Sequence, residues 1–116
     1  MSLTLFGTPL SHVTRKVRIV LHEFAIPFEF QPVESLLTEE AEGYGLNPLM
    51  RIPTLVDGEL RLIESDYIAR YLTETRAPHD PLDVLRPSYA DLNRLAVING
   101  IMAHEVTLSF WPLAVD

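Results

Sequence analysis

One stretch limits what this chain can fold into more than any other: Asn47-Pro48-Leu49-Met50-Arg51-Ile52-Pro53-Thr54-Leu55-Val56-Asp57-Gly58. A proline has no N–H to give to a sheet ladder, so Pro53 belongs at the first residue of a strand. The short β-type run Thr54 to Val56 follows it directly and stops at Asp57-Gly58. Asp-Gly is the strongest short hairpin signal, because both central residues of a type I′ turn need positive φ. A proline held between a loop and a strand is also where a cis X-Pro bond is used. The expectation is that Ile52-Pro53 is cis, with the Ile52 N–H and C=O left outside the ladder for a ligand.

Around this stretch the periodicities alternate. Leu3 to Phe6 reads as a short strand stopped by Gly7-Thr8-Pro9, and Ser11 stands where a helix begins. Val13, Val17, Val20, Leu21 and Phe24 share one helical face. Ile26-Pro27 ends that helix, and Phe28-Glu29-Phe30-Gln31 alternates as a second strand. A β-α-β order makes the two strands parallel. Glu34 to Leu46 is an acidic connection with one helical turn near Thr38-Ala41. Glu59 to Ile63 is the second arm of the Asp57-Gly58 hairpin. Ser65 is a fitting N-cap for a helix that carries Ile68, Tyr71 and Leu72. The resulting class is α/β, with a mixed four-stranded sheet in βαβ-ββα order.

Residues 1–76 form this domain, and 77–86, with two prolines, read as a linker. Residues 87–116 read as one helix opened by Pro87 and ended at Phe110-Trp111-Pro112-Leu113. Leu92, Leu95, Ala96, Asn99, Met102 and Val106 mark one of its faces, and Ile98, Ile101 and Leu108 widen the apolar surface. A helix apolar over that much of its circumference needs packing partners on more than one side.

Composition removes several classes of function. The 116 residues carry a net charge of -7, and Lys16 is the single lysine among nine basic residues. That balance argues against nucleic acid and against anionic membrane surfaces. No apolar run approaches the roughly 18 residues of a membrane span. The N-terminus lacks the pattern of a signal peptide, so the expected location is cytoplasmic. The chain has no cysteine, which excludes disulfides, thiolate metal sites and cysteine redox chemistry. His12, His22, His79 and His104 are not spaced as a metal set, and no metal is expected.

Three segments, in order and at matching separation, carry a family resemblance. Asn47 to Leu55 is similar to the Asn-Pro-x-x-Lys-Val-Pro-x-Leu segment of cytosolic glutathione transferases. Ile63-Glu64-Ser65 before a helix resembles the family's second signature. Ser11-His12-Val13-Thr14-Arg15-Lys16-Val17 resembles the start of helix one in serine-type members, with His12 where proline is common. The resemblance implies a thioredoxin-like glutathione-binding domain followed by the first helix of an all-helical C-terminal domain.

It implies Ser11 as the catalytic residue, its hydroxyl donating to the glutathione sulfur, with Thr8 as the alternative hydroxyl. It implies that Ile52 and Pro53 present backbone to the cysteinyl part of glutathione. Glu64, Ser65 and Arg51 would hold the ligand's charged ends. A small electrophile would be the second substrate, and a homodimer the expected assembly. In the family the electrophile pocket comes largely from the C-terminal domain, of which this sequence holds the first helix. A non-catalytic interaction module, or a fragment that binds glutathione or a protein without turnover, is therefore the alternative. Taken without the resemblance, Ser11 and Ser65 are helix caps, Glu64 a solvated carboxylate, and Tyr67 and Tyr71 helix-packing residues.

Overall fold

A computed structural model of the chain describes residues 2–33 and 41–115. The elements run β1 (Leu3–Gly7), α1 (His12–Glu23), β2 (Glu29–Pro32), a 3₁₀ turn at Ala41–Tyr44, β3 (Thr54–Asp57), β4 (Leu60–Ile63), α2 (Ser65–Arg76) and α3 (Tyr89–Val115). Two compact units result, Met1–Leu85 and Arg86–Asp116. The helical turn expected near Thr38-Ala41 falls almost wholly on residues 34–40, outside the described residues.

The sheet order is β2-β1-β3-β4. β1 and β2 are parallel, and β1 with β3 and β3 with β4 are antiparallel. This is the mixed four-stranded α/β arrangement expected from the order of periodicities, and the thioredoxin-like fold that the resemblance implies. Alternation along β1 buries Leu3 and Leu5 on one face. They meet Val17, Val20 and Leu21 of α1, Leu55 of β3, and Ile68, Ala69 and Leu72 of α2 in a single core. The predicted stripe on α1 is therefore its buried face, but it also contains Thr14, which is fully buried. Residues 77–85 pack with the first unit. Val84 rests against the core, and the Asp80 carboxylate accepts from the Val84 and Leu85 N–H groups at 2.7 and 2.9 Å.

The structure corrects four local expectations. The hairpin register pairs Asp57 with Leu60, so Asp57 is a ladder residue and the turn is Gly58-Glu59. Only Gly58 has positive φ (63°), which is the type II′ pattern and not type I′. Ser65 is the first residue inside α2, because the cap position is taken by Glu64 at φ 74°. Pro87 does not open α3: Ser88 caps it, its Oγ accepting from the Asp91 N–H at 3.1 Å. Pro112 does not close that helix, which continues to Val115. So near the end, a proline removes one backbone donor without stopping the helix.

Two features hold the sheet to its helices. Gly7 lies so close to α1 that a Cβ built on it would sit 2.4 Å from Thr14 Cγ2. At the opposite end of the sheet, the Asp57 carboxylate accepts from the Tyr71 hydroxyl and from Arg76 Nη2 at 3.2 Å, tying β3 to the second half of α2. The Tyr71 hydrogen bond, helped by Arg76 and opposed by desolvation, holds the Asp57 carboxyl below the usual carboxylate range. Its Oδ1 atom is buried without a partner among the described residues.

Two outcomes are expected. Gly7→Ala forces β1 and α1 apart and lowers stability by about 1–3 kcal/mol, read as a shifted denaturant midpoint. Adding Thr14→Ala, which removes the clashing atoms, recovers part of that loss. For Asp57, a folded pKa below the unfolded value of about 3.9 means the stabilisation is fully present above that pH. It is lost as pH falls through the folded value. Asp57→Asn therefore lowers stability at neutral pH and flattens the acid limb of a stability-versus-pH curve below about pH 4.

Candidate functional site

The site is a consequence of strand register. Phe6 of β1 pairs with Thr54 of β3, and Thr54 pairs with Ile63 of β4. Because β3 runs against both neighbours, this row holds the end of β1, the start of β3 and the end of β4. Strands lie about 4.8 Å apart, so the three points fall within about 10 Å. The segments attached to them are the Thr8–Ser11 turn, the Asn47–Pro53 loop and the Glu64-Ser65 corner. The three stretches singled out in the sequence thus leave the sheet at one end.

At the first segment, Ser11 is the N-cap of α1. Its Oγ accepts from the Thr14 N–H at 3.2 Å and its own N–H donates to Thr8 O at 3.1 Å. The cap uses a lone pair and leaves the hydroxyl proton to be donated. Thr8 is oriented differently, its Oγ1 accepting from the Leu10 N–H within its own turn at 3.5 Å. Leu10, between them, is 83% exposed.

At the second segment, the Ile52-Pro53 bond is cis, as expected. Pro53 is buried and Ile52 half-buried. No hydrogen bond among the described residues reaches the Ile52 N–H or C=O. The loop owes its shape to Asn47, which is 2% exposed. Asn47 Nδ2 donates to Arg51 O at 3.0 Å and to Thr54 Oγ1 at 3.2 Å, while Oδ1 accepts from the Leu49 N–H at 2.8 Å. Its backbone carbonyl also accepts from the Met50 N–H at 2.9 Å. Leu46 and Met50 take positive φ, at 63° and 50°, to wind the chain around it. The Arg51 side chain points into solvent and pairs with no described residue. Asn47 stands in the sequence signature, but nothing in the pattern assigns it this central role.

At the third segment, Glu64 holds a left-handed conformation that an L side chain rarely adopts, and it makes no capping bond. The first backbone bond of α2 runs from the Ile68 N–H to Glu64 O at 3.0 Å. Ser65 is buried, and its hydroxyl donates to no described group. The helix thus starts with N–H groups directed at the shared end of the sheet, and no side chain of its cap residue closes it. Besides the shared core, an ion pair joins the two helices: Lys16 of α1 pairs with Asp66 in the first turn of α2. Lys16 stands in the helix-one segment of the sequence, but nothing there pairs it with Asp66.

The arrangement offers a hydroxyl donor on one helix start, an unpaired backbone edge, and a second helix start with a hydroxyl and no side-chain cap. No three of His, Asp and Glu converge as a metal site among the described residues. An open hollow lined by Leu3, Phe24, Ile26, Phe28 and Arg76 lies at the other end of the sheet, away from these groups.

Residues 5–80 match the family model for the glutathione S-transferase N-terminal domain. The chain belongs to this family. It is 36% identical over 114 residues to glutathione S-transferase 3 of Zea mays, covering 96% of this chain and 50% of that protein. It is 37% identical over 95 residues to a stringent starvation protein A homologue of Haemophilus ducreyi, covering 82% of this chain and 44% of the relative. Among solved structures, a glutathione transferase homologue from Drosophila mojavensis with bound glutathione superposes at a TM-score of 0.62. That match has 26% identity and covers 94% of this chain and 48% of the other. The chain spans half or less of the length of these relatives. No described helix is long and apolar enough to cross a membrane.

Asn47→Ala removes three side-chain hydrogen bonds from a buried position, leaving the Leu49 N–H without its acceptor and the Thr54 hydroxyl without its donor. A loss of about 2–4 kcal/mol in unfolding free energy is expected. The effect reads out as a lowered thermal midpoint.

Proposed function

We propose that this chain binds glutathione at the shared end of the sheet and favours its thiolate for attack on a small electrophile, as a glutathione transferase. The observation that carries this reading is the Ser11 hydroxyl, whose acceptor side is occupied by the Thr14 N–H. Its proton is then available to a sulfur seated between α1 and the Ile52 edge. A thiolate accepts that bond better than a thiol does, and the α1 N-terminus adds a favourable dipole. Together they can lower a thiol pKa by about two units, or about 2.7 kcal/mol.

The other proposed roles follow the ligand's chemistry. The Ile52 N–H and C=O pair with the cysteinyl backbone in the manner of an added strand, with Pro53 holding the turn. The α2 N-terminus and the Ser65 hydroxyl take the γ-glutamyl carboxylate. Glu64 accepts from the γ-glutamyl ammonium, and the solvent-facing Arg51 reaches the remaining carboxylate. Homodimer formation and a cytoplasmic location belong to the same reading. Exposed Val97, Ile98 and Ile101 on α3 support an assembly that covers them.

A second reading is an interaction module that has kept the fold without the transferase reaction. It is favoured by the relatives named stringent starvation protein A homologues, among them one from Coxiella burnetii at 41% identity over 80 residues. Calorimetric titration with glutathione tests the first reading: the transferase requires binding, and a chain that binds none leaves the interaction module.

The role of Ser11 is tested on bound glutathione itself, without any electrophile. The ultraviolet absorbance of the thiolate, followed against pH, should show ionisation about two units below the free thiol value of about 8.5. Ser11→Ala should return most of that shift and leave glutathione affinity nearly unchanged. An ionisation curve that does not move on this substitution rejects the assignment.

A further inference from the structure

We propose that Lys16 is a positioning residue for the same site, offsetting the Asp66 charge in the first turn of α2 and so keeping that helix start receptive to a carboxylate. The inference rests on the glutathione reading and adds a residue to it. Asp66 is the acidic residue of the first turn of α2. A carboxylate there suits the helix dipole, and it strengthens the helix. For an anionic ligand the same charge is a competitor: it occupies the favourable end of the dipole and repels a second carboxylate.

The structure places the chain's single lysine against it. Lys16 lies on α1, one turn beyond the Ser11 cap, and its ammonium pairs with Asp66 Oδ1. The two side chains are only 28% and 37% exposed, so solvent screens the pair incompletely. An ammonium on a long stem can span from one helix to the next while its own helix keeps the Ser11 cap in place.

The consequence is a charge balance at the mouth of the site. With both residues present the pair sums to zero. Removing the lysine leaves a net negative charge beside the helix start, and removing the aspartate leaves a net positive one. Ligand affinity should follow that sum, whereas folding stability follows the pair and the helix dipole. The two quantities therefore move in opposite directions for Asp66, which a purely structural brace between α1 and α2 would not produce.

The experiment titrates glutathione calorimetrically at low salt into the wild-type chain, K16M, D66N and K16M/D66N, with a thermal melt of each variant. K16M should bind about three- to tenfold more weakly than wild type. D66N should bind more tightly than wild type although it melts lower. K16M/D66N should return to within about twofold of wild type, since its charge sum is again zero. Wild type that binds with K16M unchanged overturns this inference alone, as does a double variant as weak as K16M. Wild type that binds no glutathione overturns the glutathione reading and this inference with it.

Discussion

Everything at the candidate site depends on one row of residues across the sheet: Phe6, Thr54 and Ile63, each opposite the next. Side chains on a strand alternate between faces, so a slip of one residue would turn Leu55 out of the core and carry the Ile52 edge away from Ser11. Burial of Leu3, Leu5 and Leu55 against α1 and α2 prevents such a slip. The hydrophobic core thus sets the relative placement of three polar loops whose residues contribute little to it. Gly7 tightens the same arrangement, letting β1 deliver the chain to α1 almost in contact with Thr14.

Much of this was legible in the sequence, for identifiable physical reasons. Alternation in β1 and the helical stripe from Val13 to Phe24 each bury one face, and burial of one face leaves a period in the sequence. Pro53 was legible because a residue without a donor has few places in a sheet. What stayed hidden were polar roles that leave no period. Asp57 looked like half of a turn, but it stays in the ladder opposite Leu60, and its carboxylate is taken by Tyr71 and Arg76 from α2. Ser65 looked like a cap, but Glu64 takes that position with a backbone conformation that composition does not announce. The Lys16–Asp66 pair joins residues far apart in sequence, which no local pattern reveals.

Membership of the glutathione S-transferase N-terminal domain family accounts for the fold, and relatives of two kinds share it. Both kinds need the core that aligns the loops. They need not share the hydroxyl donor, the open helix start or the charge pair. Those three features are where the proposed function can be tested apart from the fold: an alanine at position 11, a capped α2 or two neutral residues at 16 and 66 would leave the sheet order unchanged.

Asn47 carries a last consequence, in the time domain. Its amide bonds to both ends of the loop it sits in, at Leu49, Arg51 and Thr54, so residues 47–54 are closed on themselves before any ligand arrives. A peptide that pairs with Ile52 then meets an edge whose backbone entropy was lost when the chain folded, not when the complex forms. Association at such an edge is governed by the rate of encounter and not by rearrangement of the loop. The affinity of different peptides for it will accordingly differ in how fast they leave.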